Sequence, residues 1–177
     1  LASLPQSIGE LSSLVILFLN NNQLTNIPES IGDLSNLALL DLEGNQLTSI
    51  PESVGELSSL VRLLILENQL TSIPESIGNL SSLRYLYLNY NQLTSIPESI
   101  GDLSNLELEF LYLSYNQLTS LPESICNLPE NSVILVDNNQ LCEEYHYDCI
   151  DVWSLPSQMQ DNCCEGPEGQ PNWTTCP

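Results

Sequence analysis

The chain has 177 residues, 23 acidic side chains against two basic ones, and a net charge of −21. With almost nothing to neutralise phosphates, neither a nucleic acid nor an anionic membrane surface is a natural partner. No apolar run approaches the roughly 20 residues of a spanning helix, so membrane insertion is not expected, while 42% hydrophobic residues in a chain of this length suit one domain with a core.

The chain begins at Leu1, on the boundary of a repeat. An Asn recurs at Asn22, Asn45, Asn68, Asn91, Asn116 and Asn139, at intervals of 23, 23, 23, 25 and 23 residues. Self-similarity at such a period predicts a solenoid. A typical unit places Leu37, Leu40, Leu42, Asn45 and Leu47 ahead of Ile50, Pro51, Val54, Gly55 and Leu57. The alternation Leu40-x-Leu42 is that of a short strand with one buried face. Strands of successive coils would pair at about 4.8 Å into a parallel sheet. The buried leucines would stack into one core that no coil could form alone. Each Asn amide, holding donors and an acceptor together, is expected to satisfy the turn backbone in the coils above and below.

Solenoids need a polar cap at each end. The first coil has none, and its core face is expected to be bare, through a removed cap or a covering molecule. Coils one to four follow without gaps. Coil five carries a two-residue Leu-Glu insertion at residues 106–109, where Leu106 or Leu108 can lead the strand, and a bulge before that strand is expected. In coil six Asn131 replaces the leading Leu and Pro129 breaks the pattern. From Cys142 the periodicity is gone, and one short helix is expected over 151–159. The division is therefore 1–141, a solenoid of six coils, and 142–177, a cap.

The pattern from Leu1 to about Leu141 resembles the leucine-rich repeat family. Its Ile-Pro-x-x-Ile-Gly-x-Leu half is similar to the short repeats of Ras-pathway scaffolds and related plant proteins. The extra residue and the Gly before Ile-Pro of plant extracellular repeats are missing. The resemblance implies an α/β leucine-rich-repeat solenoid (horseshoe), with a parallel β-sheet on the concave face and 3₁₀ or irregular turns on the convex face. It also implies partner binding on the concave face.

All six cysteines, Cys126, Cys142, Cys149, Cys163, Cys164 and Cys176, lie in the last third of the chain. An even number clustered at one end reads as a disulfide-stapled cap with open connectivity. That places the protein outside the cell, secreted or on the surface. A zinc site of Cys142, His146 and Cys149 is the rival reading, with spacing that matches no common pattern. Asn79 and Asn172 head N-glycosylation triplets.

The outward strand positions carry Phe18, Asp41, Arg62, Leu64, Tyr85, Tyr87, Phe110 and Tyr112, with Tyr90 and Tyr115 flanking. Aromatic anchors of this kind hold partners, or else stack across strands and stabilise the sheet. Arg62 could meet a partner's acidic or carbonyl group, or Asp41. Two acidic columns, Glu29, Glu52, Glu75, Glu98 and Glu123 beside Glu10, Asp33, Glu56 and Asp102, run along the opposite side. Within a coil they are four residues apart, which a helical turn would bring together. They are either a solvated face or a binder of divalent cations.

No catalytic constellation, cofactor motif or metal-ligand grouping stands out, so an enzyme is not expected. The chain reads as an extracellular module binding a protein or glycan. The alternative is a structural subunit, copies of itself stacked end to end in an extracellular assembly or filament. A third reading takes the Thr25, Thr48, Thr71, Thr94 and Thr119 column as an ice- or mineral-binding surface.

Overall fold

The computed structural model describes residues 1–105, 107–141 and 147–150. Six three-residue strands form one parallel sheet in sequence order: β1 Ile16–Phe18, β2 Leu39–Asp41, β3 Arg62–Leu64, β4 Tyr85–Tyr87, β5 Phe110–Tyr112 and β6 Val133–Leu135. Each strand is followed or preceded by a 3₁₀ turn, from Gln6–Glu10 through Glu52–Glu56 to Glu123–Asn127. The α/β leucine-rich-repeat solenoid expected from the sequence is the fold, with the sheet on one side and the 3₁₀ turns on the other.

The middle residue of each strand points inward. Leu40, Leu63, Leu86 and Leu111 are fully buried, and Ile134 nearly so. The following leucines and isoleucines, such as Leu47, Ile50, Val54 and Leu57, close the same core behind them. A proline in extended conformation precedes each five-residue turn, for example Pro51 at φ −71° before Glu52–Glu56. Its fixed φ suits a helix start, and its missing N–H is one the helix would leave unpaired anyway.

Coils approach most closely where the turn glycines sit. A Cβ on Gly55 would lie 2.4 Å from the Ser76 carbonyl oxygen of the next coil. Only a residue without a side chain allows that separation.

The Asn column works in one direction only. Asn45 Oδ1 accepts from the Leu24 N–H of the preceding coil at 3.0 Å. Its Nδ2 donates to Leu42 O in its own turn and to Leu19 O of the preceding coil. Asn68, Asn91, Asn116 and Asn139 also reach back to the preceding coil and into their own turn. The expected service to both neighbours is thus divided: each turn is held by its own Asn and by that of the coil after it.

The insertion in coil five does not bulge the ladder. Glu109 N and Phe110 N both donate to Arg84 O, as Arg84 N and Tyr85 N both donate to Val61 O. Leu108 is fully buried and leads the strand. The additional length is taken up upstream, where the 3₁₀ segment lengthens to Glu98–Asn105. There the chain is on the outside and no neighbouring strand fixes its register.

At the first coil Phe18, Ile16, Val15 and Leu11 are exposed, Phe18 at 64%. At the other end Ile150 is buried at 7% against the core. Cys126 and Cys149 are joined, with Cα atoms 5.5 Å apart. Cys149 is thereby unavailable to a zinc site with Cys142 and His146. The remaining cysteines Cys142, Cys163, Cys164 and Cys176, together with Asn172 and the segment 151–159, lie outside the described residues.

Candidate binding face

Parallel pairing puts equivalent outward positions side by side. Arg62 opposes Tyr85, Tyr85 opposes Phe110, and Tyr87 opposes Tyr112. The rings follow the register: Tyr85 stacks on Phe110 at 5.6 Å, and Tyr87 on Tyr112 at 4.6 Å with 7° between planes. Phe110 meets Tyr112 edge-on, so the two stacks form one continuous aromatic block. Stacked pairs of this kind contribute about 0.5–1.5 kcal/mol beyond their buried area. Leu64 is half-buried in the Tyr87 column.

The block carries a charged margin. The Arg62 guanidinium lies over the Tyr85 ring, 4.7 Å from its centre. Arg84 pairs closely with Glu109 and more loosely, at 3.4 Å, with Glu107. The Tyr85 hydroxyl donates to Glu109 Oε2 at 2.6 Å. That hydrogen bond, ahead of the Arg84 charge, holds the Glu109 carboxyl below its usual range against the opposing effect of desolvation. The same bond pushes the Tyr85 phenol up. Burial, followed by the neighbouring Tyr112, raises Tyr87.

A third stack was not part of the expected face proper. Tyr90 lies on Tyr115 with ring centres 4.4 Å apart. Both have left-handed backbones, φ 57° and 56°, as do Asn21, Gly44, Glu67 and Asn138 in the same slot of other coils. Gly and Asn tolerate that conformation, whereas a bulky residue there is strained by about 1–3 kcal/mol. The Asn, Gly and Asn at three of the six positions were the sequence signal for this turn.

Two expected residues stand apart from the block. Phe18 is on β1, at the sheet edge. Asp41 is only 7% exposed, and its Oδ1 accepts from Glu43 N–H at 3.1 Å. Its strand neighbour is Leu64, and among the described residues it makes no ion pair with Arg62. Its role is to close the turn after β2. The residue that sequence reasoning left out is Glu109. It became legible only once Leu108 was fixed as the leading Leu, which sets Glu109 directly beside Arg84.

On the opposite side the acidic columns open and close the 3₁₀ turns. At three residues per turn, side chains four apart point about 120° away from each other, so Glu52 and Glu56 do not share a face as an α-turn would require. Among the described residues no three His, Cys, Asp or Glu side chains converge as a metal site would need. Asn79 is exposed at the end of its turn, and Ser81 follows it on the surface. The threonine column is exposed as well. Thr71, Thr94 and Thr119 each donate a backbone N–H to the preceding threonine's carbonyl at 3.2–3.5 Å.

Family comparison matches residues 2–84 to a "Leucine-rich repeat region" and residues 81–125 to "Leucine Rich repeats (2 copies)". Comparison with curated proteins gives no match. Among solved structures, an LRR protein of Leptospira interrogans is 38% identical with a TM-score of 0.72, covering 80% of this chain and 36% of its own. PEPR1, solved with AtPEP1, is likewise 38% identical at a TM-score of 0.72, covering 79% of this chain and 20% of its own. The ectodomain of the Arabidopsis thaliana receptor kinase GASSHO1/SCHENGEN3, in complex with CASPARIAN STRIP INTEGRITY FACTOR 2, is 32% identical at 0.59, covering 79% and 20%. The chain thus spans about a third of the Leptospira protein and a fifth of each of the other two.

Proposed function

The chain belongs to the leucine-rich repeat family, and from that premise we propose that it is an extracellular recognition module binding a protein or peptide through the aromatic block on its sheet. The observation that carries the reading is the divergence of the outward positions. The inward slots repeat buried aliphatic side chains from coil to coil, while the outward slots of β4 and β5 concentrate Tyr85, Tyr87, Phe110 and Tyr112. Aromatics gathered at the centre of a sheet are the residue types that anchor interfaces. Of the structurally similar proteins, PEPR1 was solved with AtPEP1 and the GASSHO1/SCHENGEN3 ectodomain in complex with CASPARIAN STRIP INTEGRITY FACTOR 2. The Cys126–Cys149 bond supports an oxidising compartment. A glycan is the second class of ligand such a tyrosine-rich face suits.

The alternative is a subunit of an extracellular assembly stacked end to end. Light scattering separates the two: a monomer fits recognition, long polymers fit assembly.

The face itself is tested with peptides selected from a displayed random library against the native chain. Tyr87→Ala should weaken the selected peptides by about 1–2 kcal/mol or more, with little loss of folding. Normal binding to Tyr87→Ala and Tyr112→Ala, combined with lowered melting temperatures, would make the aromatics sheet stabilisers and move the site elsewhere.

A further inference from the structure

Beside the aromatic block, between coils four and six, lies a shallow concavity lined by Asn89, Tyr90, Tyr112, Ser114, Tyr115, Leu135 and Asp137. Its composition repeats a motif that is already occupied one coil earlier. There, tyrosine and carboxylate meet guanidinium: Arg62 sits over Tyr85, and Arg84 pairs with the Glu109 that Tyr85 holds. Those two arginines are all the Lys and Arg the chain possesses. In the concavity the tyrosines and the carboxylate are present, and no arginine or lysine of the chain is left to fill it.

Deepening the concave-face reading, on which it rests, we infer that this concavity is a subsite for an arginine side chain of the bound peptide. Asp137 supplies the charge. The Ser114 hydroxyl donates to its Oδ1 and the Asn138 amide to its Oδ2 at 2.5 Å, which fixes the carboxylate. A carboxylate has about four lone-pair sites, so each oxygen keeps one for an incoming guanidinium. Asn89 lines the same concavity. Tyr112 and the stacked Tyr90–Tyr115 pair supply ring surface, which a planar guanidinium favours over the compact ammonium of lysine. Burial first and then Tyr115 push the Tyr90 phenol up, and the nearby Asp137 and Glu67 carboxylates add to that.

The test is an NMR titration of the intact chain with a blocked Gly-Arg-Gly peptide and its citrulline and lysine counterparts. The arginine peptide should move the Asn89 side-chain amide and the Tyr90 and Tyr115 backbone signals. The neutral citrulline peptide should bind about tenfold more weakly or worse, and the lysine peptide should fall short of arginine. Asp137→Asn should abolish the preference for arginine over citrulline. Should that variant fold poorly, Tyr115→Leu, altering an exposed ring, should weaken the arginine peptide. Asp33→Asn, on the opposite side of the solenoid, should change nothing. Equal binding of arginine and citrulline, equal binding of lysine, or shifts spread along the Glu29, Glu52 and Glu75 column would overturn the inference. Library-selected peptides that need Tyr87 and Tyr112 but ignore Asp137 would overturn the arginine subsite and leave the concave-face reading standing. Selected peptides indifferent to all three would remove both.

Discussion

The inward column Leu40, Leu63, Leu86 and Leu111 holds one residue type, fully buried, whereas the outward column one position earlier runs Leu39, Arg62, Tyr85, Phe110 and Val133. Both columns are carried by the same strands and the same hydrogen bonds. The inward side must match the coil before and the coil after, and a close-packed interior leaves little freedom in volume. The outward side answers only to its lateral neighbours, so it can vary from coil to coil. Repetition therefore marks what holds the solenoid together, and departure from repetition marks the positions that the stack leaves free to vary.

One strong way to break this comparison is to remove a polar member of the inward set. Asn91→Ala strands the buried Leu70 N–H and takes donors from Ile65 O and Leu88 O. Neighbouring Asn68 and Asn116 still reach those two carbonyls. Denaturant unfolding should register a loss of about 3 kcal/mol. A cost below about 1 kcal/mol would mean that the Asn column is not structural.

The effect at the end of the stack is comparable. Reducing Cys126–Cys149, which are 23 residues apart, should cost about 3 kcal/mol. Amide exchange should then quicken in β6 before β3, because each coil leans on its neighbours. Uniform quickening through all strands would show that the crosslink does not guard that end. A thiol assay of the unreduced, denatured chain should find Cys126 and Cys149 blocked.

The smallest change sharpens the outward side. The Tyr85 hydrogen bond lowers Glu109 from a reference value of 4.5, so the contribution is present above that value and is lost as pH falls through the lowered folded value. Tyr85→Phe should therefore melt below the native chain at neutral pH, with the gap narrowing on acidification. On the alkaline side the raised Tyr85 makes the same contribution present below 10.0 and lost as pH rises through its folded value. A gap that stays constant from neutral to acid pH would detach Tyr85 from Glu109.

The repeat made the architecture legible down to single pairings. Tyr85 beside Phe110 and Tyr87 beside Tyr112 follow from counting, because backbone pairing alone sets the register. What counting could not settle is where a side chain turns once it is outside the core. Asp41 shares a column with Tyr87, yet it folds back onto the Glu43 N–H, since a short carboxylate beside a turn finds its nearest donor in its own backbone. The Leu106/Leu108 ambiguity hid Glu109, and with it the ion pair bordering the aromatic block. The direction of the Asn amides was hidden for a different reason: the pattern is symmetric along the chain, while the hydrogen bonds are not.

The central claim sets Leu86 against Tyr87, adjacent residues facing opposite ways on β4. Equilibrium unfolding of Leu86→Ala and Tyr87→Ala tests it most directly. A loss of about 2–5 kcal/mol is expected for the leucine, and a smaller one for the half-buried tyrosine, about 0.5–1.5 kcal/mol of stacking plus the part of its ring that is buried. Equal losses at the two positions would contradict it, because the outward ring would then be as much a part of the fold as the buried leucine.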